Sequence, residues 1–183
     1  MRATQYLGLV ALFGVLGCGS GSEDGPTVAR VEPFVKERSA RPRSDSPTPE
    51  QTAVQKLLDA KNAEFRTRFE TLVAESRPAD VKAMLKGFHE ATEKLDVAGC
   101  PVPVRATWTK HLKAWKDLTS AIGRLPDTYE GVEFMDTLHS LFRGNAEKGK
   151  PLGGDVVAGV QNVLKTTSEL HTAVEQAGLS MSK

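Results

Sequence analysis

Cysteine is nearly missing from this chain: 2 of its 183 residues are too few for a disulfide framework or a Cys-rich zinc site. Strand signals are missing too, since no run of alternating β-branched residues is bounded by hairpin dipeptides. No self-similarity appears at solenoid periods. Neither sign of charge is in excess, because 24 Lys+Arg against 23 Asp+Glu leave a net +1. Bulk electrostatics therefore draws in no nucleic acid or other polyanion. With 39% hydrophobic residues the chain has an ordinary globular composition, which excludes wholesale disorder, a collagen-like repeat and a multi-pass membrane protein.

The first residues read as an address. Met1 and Arg2 supply positive charge, and Leu7–Gly17 is an uncharged apolar run of 11 residues. A spanning helix needs about 20 such residues, whereas a signal-peptide core needs fewer. Gly19-Ser-Gly-Ser-Glu-Asp-Gly-Pro26 follows, the composition of a tether rather than of a second core element.

Val15-Leu16-Gly17-Cys18 resembles a bacterial lipobox, with an aliphatic residue three before the cysteine and a small residue immediately before it. Leu16 departs from the more usual Ala or Ser. The resemblance covers residues 1–18 alone. It implies a lipoprotein signal peptide over residues 1–17, cleavage before Cys18, diacylglycerol on the Cys18 thiol and acylation of its new amino group. Two or three acyl chains, at ~0.8 kcal/mol per buried CH₂, hold a soluble domain on a membrane where one chain holds it only marginally. By the same resemblance, Gly19 after the cysteine permits delivery to an outer membrane. Cleavage removes Arg2 and no other charge, so the mature chain is neutral and depends on its lipid for anchoring.

Residues 18–47 form the expected lipid-anchored, flexible linker. The 29 residues from Gly19 to Pro47 hold four of the ten prolines, five serines and three glycines. Val31, Phe34 and Val35 are too few to offset ordering entropy. Lys36, Arg38, Arg41 and Arg43 form a short basic patch that reads as part of a solvated linker, with contact to lipid headgroups as the alternative.

Residues 48–178 read as helices. Thr48-Pro-Glu-Gln51 carries a capping box with proline in the first turn, and Val54, Leu57, Leu58, Phe65, Phe69, Leu72 and Val73 share a face to about Glu75. A second helix runs from Pro78 to near Gly99 on Val81, Met84, Leu85, Phe88, Thr92 and Leu95. The third starts after Pro101 and Pro103 and has the unbroken stripe Val104, Trp108, His111, Trp115, Leu118, Ile122. Asp127-Thr-Tyr-Glu130 resembles a capping box for a shorter fourth helix on Val132, Met135, Leu138, Leu141 and Phe142. Gly144–Gly154 reads as a loop. A last helix, from Asp155 to Ala177, uses Val156, Val160, Val163, Thr167, Leu170 and Val174, with Gly178 past its end. Residues 179–183 read as a disordered tail. The fold class is all-α: an up-and-down, four-helix-bundle-like domain of five helical segments, the fourth lying across or extending the third.

Motifs for chemistry are mostly missing. There is no Cys-x-x-Cys-His, no His-Glu-x-x-His, no Gly-x-Ser-x-Gly and no phosphate-cradling loop. Asp155, early in the last helix, repels phosphate at that end. A single Asp136-x-x-His139 stands where a di-iron bundle needs two Glu-x-x-His pairs and two more glutamates. His89, His139 and His171 read as boundary residues beside apolar stripes. His111 lies inside its stripe and reads as a core histidine with a pKa below ~6.5, whose replacement by leucine folds and even gains stability. The alternative makes it an axial ligand for non-covalent haem or a metal ligand, with His171 or Met84 as the second ligand. Cys100, in Gly99-Cys-Pro-Val-Pro103, reads as a buried turn thiol, a free cysteine once Cys18 is lipidated, with an intermolecular bridge as the alternative. The expectation is thus a non-enzymatic, membrane-anchored lipoprotein of the cell envelope, facing the periplasm or exterior. It has no cofactor, no metal site, no nucleic-acid partner and no catalytic residue. Its helical domain binds an envelope protein or serves a structural role.

Overall fold

The structure, a computed structural model, describes residues 46–179; the signal peptide, Cys18, the linker up to Asp45 and residues 180–183 lie outside them. Helix α1 (Pro49–Phe69) starts at the capping box expected for it. Thr48 Oγ1 accepts from the Gln51 N–H at 3.1 Å, and Gln51 Oε1 accepts from the Thr48 N–H at 2.9 Å. The helix ends at Phe69 rather than running on to Glu75. Beyond it, Thr71 donates its hydroxyl to the Arg68 carbonyl and Ser76 Oγ accepts from the Val73 N–H. Short hydroxyl side chains give this backbone partners other than the helical ladder, and Val73 is left exposed.

Helix α2 (Pro78–Thr92) opens with the Asp80 carboxylate accepting from the Arg77 N–H at 2.8 Å. It stops at Thr92, short of the expected Gly99. The Thr92 hydroxyl donates back to the Phe88 carbonyl, and Asp96 holds the Ala98 N–H in a tight turn. Leu95 and Val97 still pack onto the core from that turn. Helix α3 (Val102–Gly123) buries all six residues of its expected stripe.

Helix α4 (Gly131–Phe142) lacks the expected capping box. Its N-cap is Glu130, and Asp127 turns instead to Lys82 Nζ at 2.8 Å. Its buried face includes Phe134, while Val132 at the helix start is exposed. The expected loop contains a four-residue helix, α5 (Ala146–Gly149), and a 3₁₀ turn at Lys150–Leu152. Asn145 caps the first by accepting from the Lys148 N–H, and Leu152 buries itself in the core.

Helix α6 (Gly154–Gln176) ends in a Schellman motif. The Leu179 N–H reaches the Val174 carbonyl, the Gly178 N–H reaches that of Glu175, and Gly178 has φ +79°. Leu179 packs against the core from this cap. No strand occurs among the described residues, and the domain is an all-α bundle.

The apolar core is two clusters, and their order along each helix gives the topology. α1 and α3 meet the smaller cluster first (Val54, Leu57 and Leu58; Val104 and Trp108) and the larger one later (Phe65 and Phe69; Trp115, Leu118 and Ile122). α2 with the turn that follows it, and α6, meet them in the reverse order, from Phe88 to Leu95 and from Val163 to Leu170. The four long helices therefore run up, down, up, down, and α4 closes only the larger-cluster end. α3 and α6 form the most extensive helix pair. Gly159 permits their approach, since a Cβ there would stand 3.2 Å from Leu118 Cα.

Candidate functional site

Between the two clusters each long helix places a polar residue on its inward stripe. On α1 it is Lys61, between Leu58 and Phe65; on α2, Thr92; on α3, His111; on α6, Thr166 and Thr167. Thr92 and Thr167 satisfy their hydroxyls within their own helices, on the carbonyls of Phe88 and Val163 at 2.8 Å each. His111 looks across the bundle to α6.

His111 is 1% exposed. Its Nε2 lies 3.0 Å from Trp115 Nε1, and its Nδ1 lies 3.1 Å from Thr166 Oγ1. An indole N–H only donates, so Nε2 is the unprotonated acceptor and Nδ1 carries the ring proton. Nδ1–H then donates to Thr166 Oγ1, and that hydroxyl donates onward to the carbonyl of Asn162 at 2.9 Å or Val163 at 3.1 Å. The chain of bonds runs one way and leaves the imidazole neutral. Burial first, then the charges of Lys61 and His171, push its pKa down to about 3.

This arrangement fits a core histidine. A metal or haem iron needs an imidazole lone pair, and the one on Nε2 already faces the Trp115 donor. Of the two residues considered as a second ligand, His171 on α6 is half-buried and electrostatically coupled to His111. Met84 on α2 lines a small apolar cavity with Phe69, Leu85, Met135 and His139.

Lys61 is half-buried and has no ion pair or hydrogen bond among the described residues. Burial alone pushes its amine down from 10.5 to about 8. It presses in turn on its neighbours. His171 is held below its usual value by burial and then by Lys61, with Glu175 pulling the other way. Lys61 belongs to no motif, but a signal for it is present in the sequence: the α1 stripe steps from Leu58 to Phe65, and the skipped inward position is a lysine.

Cys100 is buried in the smaller cluster and unpaired. Burial, then Asp96, pushes its thiol up, against a weaker opposing effect of Arg105. His139 is pushed down by burial and then by Arg143, against Asp136. His139 Nε2 and His89 Nδ1 are both buried without a hydrogen-bond partner. Among the described residues no three of His, Cys, Asp and Glu converge as a metal site, and no helix is long and apolar enough to cross a membrane.

The fold and this layer define a helical-bundle domain with a polar stratum through its core. Comparison with protein-family models, with curated proteins and with solved structures finds no match to the chain.

Proposed function

We propose that this protein is a membrane-anchored lipoprotein of the bacterial cell envelope, whose helical domain has a binding or structural role rather than a catalytic one. The observation that carries the reading is Val15-Leu16-Gly17-Cys18, placed after a basic start and an 11-residue apolar run and before a Gly/Ser tether. Diacylglycerol on Cys18 supplies the anchoring energy that a neutral mature chain lacks. The linker to Pro47 sets the domain off from the membrane surface, and the partner is an envelope protein.

Metabolic labelling with a palmitate analogue tests the anchor. The native chain takes up label and sediments with membranes, and Cys18→Ala loses both properties. Label retained in Cys18→Ala overturns the reading. Limited trypsin cuts at Arg38, Arg41 or Arg43 and releases a helical core that starts near Thr48.

A further inference from the structure

Charge is balanced over the chain but not over its surface. Helix α3 carries Arg105, Lys110, Lys113 and Lys116 on the side turned away from the core, all exposed, against a single acid, Asp117. Lys113 is tied to that acid, while Arg105, Lys110 and Lys116 have no ion pair among the described residues. Other helices match their cations locally: Arg68 on α1, Lys86 on α2 and Lys165 on α6 each have a glutamate one turn away. The end of the bundle where α3 finishes is acidic instead. Glu70, Glu75, Glu130 and Glu133 are exposed there, near the place where Gly131 lies against the Glu75 carbonyl, with Arg77 as the cation among them. Lys82 and Arg124 at that end are spent on Asp127 and Asp155.

We propose that the outer face of α3 is a docking surface for the phosphate headgroups of an anionic bilayer, which lays the tether half of α3 on the membrane and keeps the acidic end lifted from it. The inference rests on the anchored reading above, because the anchor brings this face to a bilayer.

The placement of the chain ends favours this face. Gln51, in the first turn of α1, donates its Nε2–H to the Gly178 carbonyl at 3.1 Å. Both ends of the domain therefore meet at the smaller-cluster end, where α3 also begins. The tether joins there. Its 29 residues from Gly19 to Pro47 can span up to about 100 Å, which allows the domain to stand off from the bilayer or to lie against it. Charge decides between the two. Arg105 to Lys116 covers about 16 Å of helix, enough to meet several headgroups at once, and each cation gains within a Debye length of the surface, about 8 Å at physiological salt. The same surface repels the four glutamates at the other end. Val102, 66% exposed one turn before Arg105, adds an apolar contact on this side.

The test reconstitutes the full lipidated chain in vesicles of phosphatidylcholine alone and in vesicles with about 30% phosphatidylglycerol. A neutral, water-soluble amine reagent then labels the lysines, and peptide mass mapping reads each rate. Lys86 and Lys165, exposed on α2 and α6, are the internal references. On anionic vesicles Lys110 and Lys116 react at least about fivefold more slowly against these references than on neutral vesicles. About 1 M salt removes the protection. Arg105→Gln with Lys116→Gln also restores the Lys110 rate, whereas Lys86→Gln with Lys165→Gln, an equal change in net charge, leaves Lys110 protected relative to Lys113 on neutral vesicles. A chain that floats with both kinds of vesicle but labels evenly overturns this proposal and leaves the anchor standing, as does equal loss of protection in the two double variants. A chain that fails to float with neutral vesicles overturns the anchored reading, and this inference with it.

Discussion

Trp115 donates its indole N–H to His111 Nε2 at 3.0 Å, one turn away on the same helix. Adding a proton to that nitrogen would set two donors against each other in a buried site, so the folded protein holds His111 neutral far below its usual titration range.

Acid sensitivity follows with a definite sign. His111 protonates at about 3 when folded and at ~6.5 when unfolded. The unfolded chain therefore takes up the proton first as pH falls. The stabilisation is complete above about pH 6.5 and drains away between there and about pH 3, reaching a few kcal/mol in all. Urea midpoints measured at about pH 7 and pH 4 should show the loss, and His111→Leu should show a clearly flatter dependence. An unchanged slope in that variant contradicts the assignment.

With partners on both ring nitrogens, His111→Leu no longer looks neutral or stabilising, as it does from the sequence. The substitution removes the acceptor used by Trp115 Nε1–H in a buried place, at a cost of about 1–3 kcal/mol. A double-mutant cycle with Trp115→Phe isolates the bond and should return a coupling of about 0.5–1.5 kcal/mol. Strict additivity of the two changes would mean that the hydrogen bond contributes nothing.

Lys61 gives the opposite limb of the pH profile. Its folded pKa of about 8 lies below the ordinary 10.5. Folded protein thus binds fewer protons than unfolded protein across that interval, and stability rises as pH increases from 8 to 10.5. Lys61→Met removes the rise and is more stable than wild type near neutral pH, because no charge has to be half-buried. Thermal melts of both proteins at pH 7.5 and about 10 check this, and an equal rise in the two sinks it.

Cys100 should behave as a small core hydrophobe. At 4% exposure, with its thiol pushed up, it should react slowly with an aromatic disulfide reagent in native protein and at once in urea. Non-reducing electrophoresis of untreated protein should show no thiol-sensitive dimer. Fast native labelling would place the thiol at the surface.

Much of the fold could be read directly from residue spacing. The capping box at Thr48, the α3 stripe and the close of α6 at Gly178 all depend on neighbours within one or two turns, and each forms as its pattern implies. Helix ends fared worse where hydroxyl side chains competed for backbone. Thr71, Ser76 and Thr92 stop α1 and α2 early, and Asp127 leaves its expected cap for Lys82, 45 residues earlier in the chain. The burial of His111 was visible in its stripe. Its tautomer was not, because one of the two bonds that set it comes from Thr166, 55 residues away.

The sequence by itself determined most of the residues that turn inward, including one histidine with a tryptophan three residues before it and another four after. Helical period is a local property, and apolar spacing records it. Only the tertiary structure decided that His111 on α3 meets Thr166 on α6, that the imidazole proton sits on Nδ1 and that Lys61 has no ion pair among the described residues. Those outcomes depend on how far α1 and α6 slide along α3, and the slide is set by two apolar clusters packing at once, a sum over four helices that no single stretch of sequence contains.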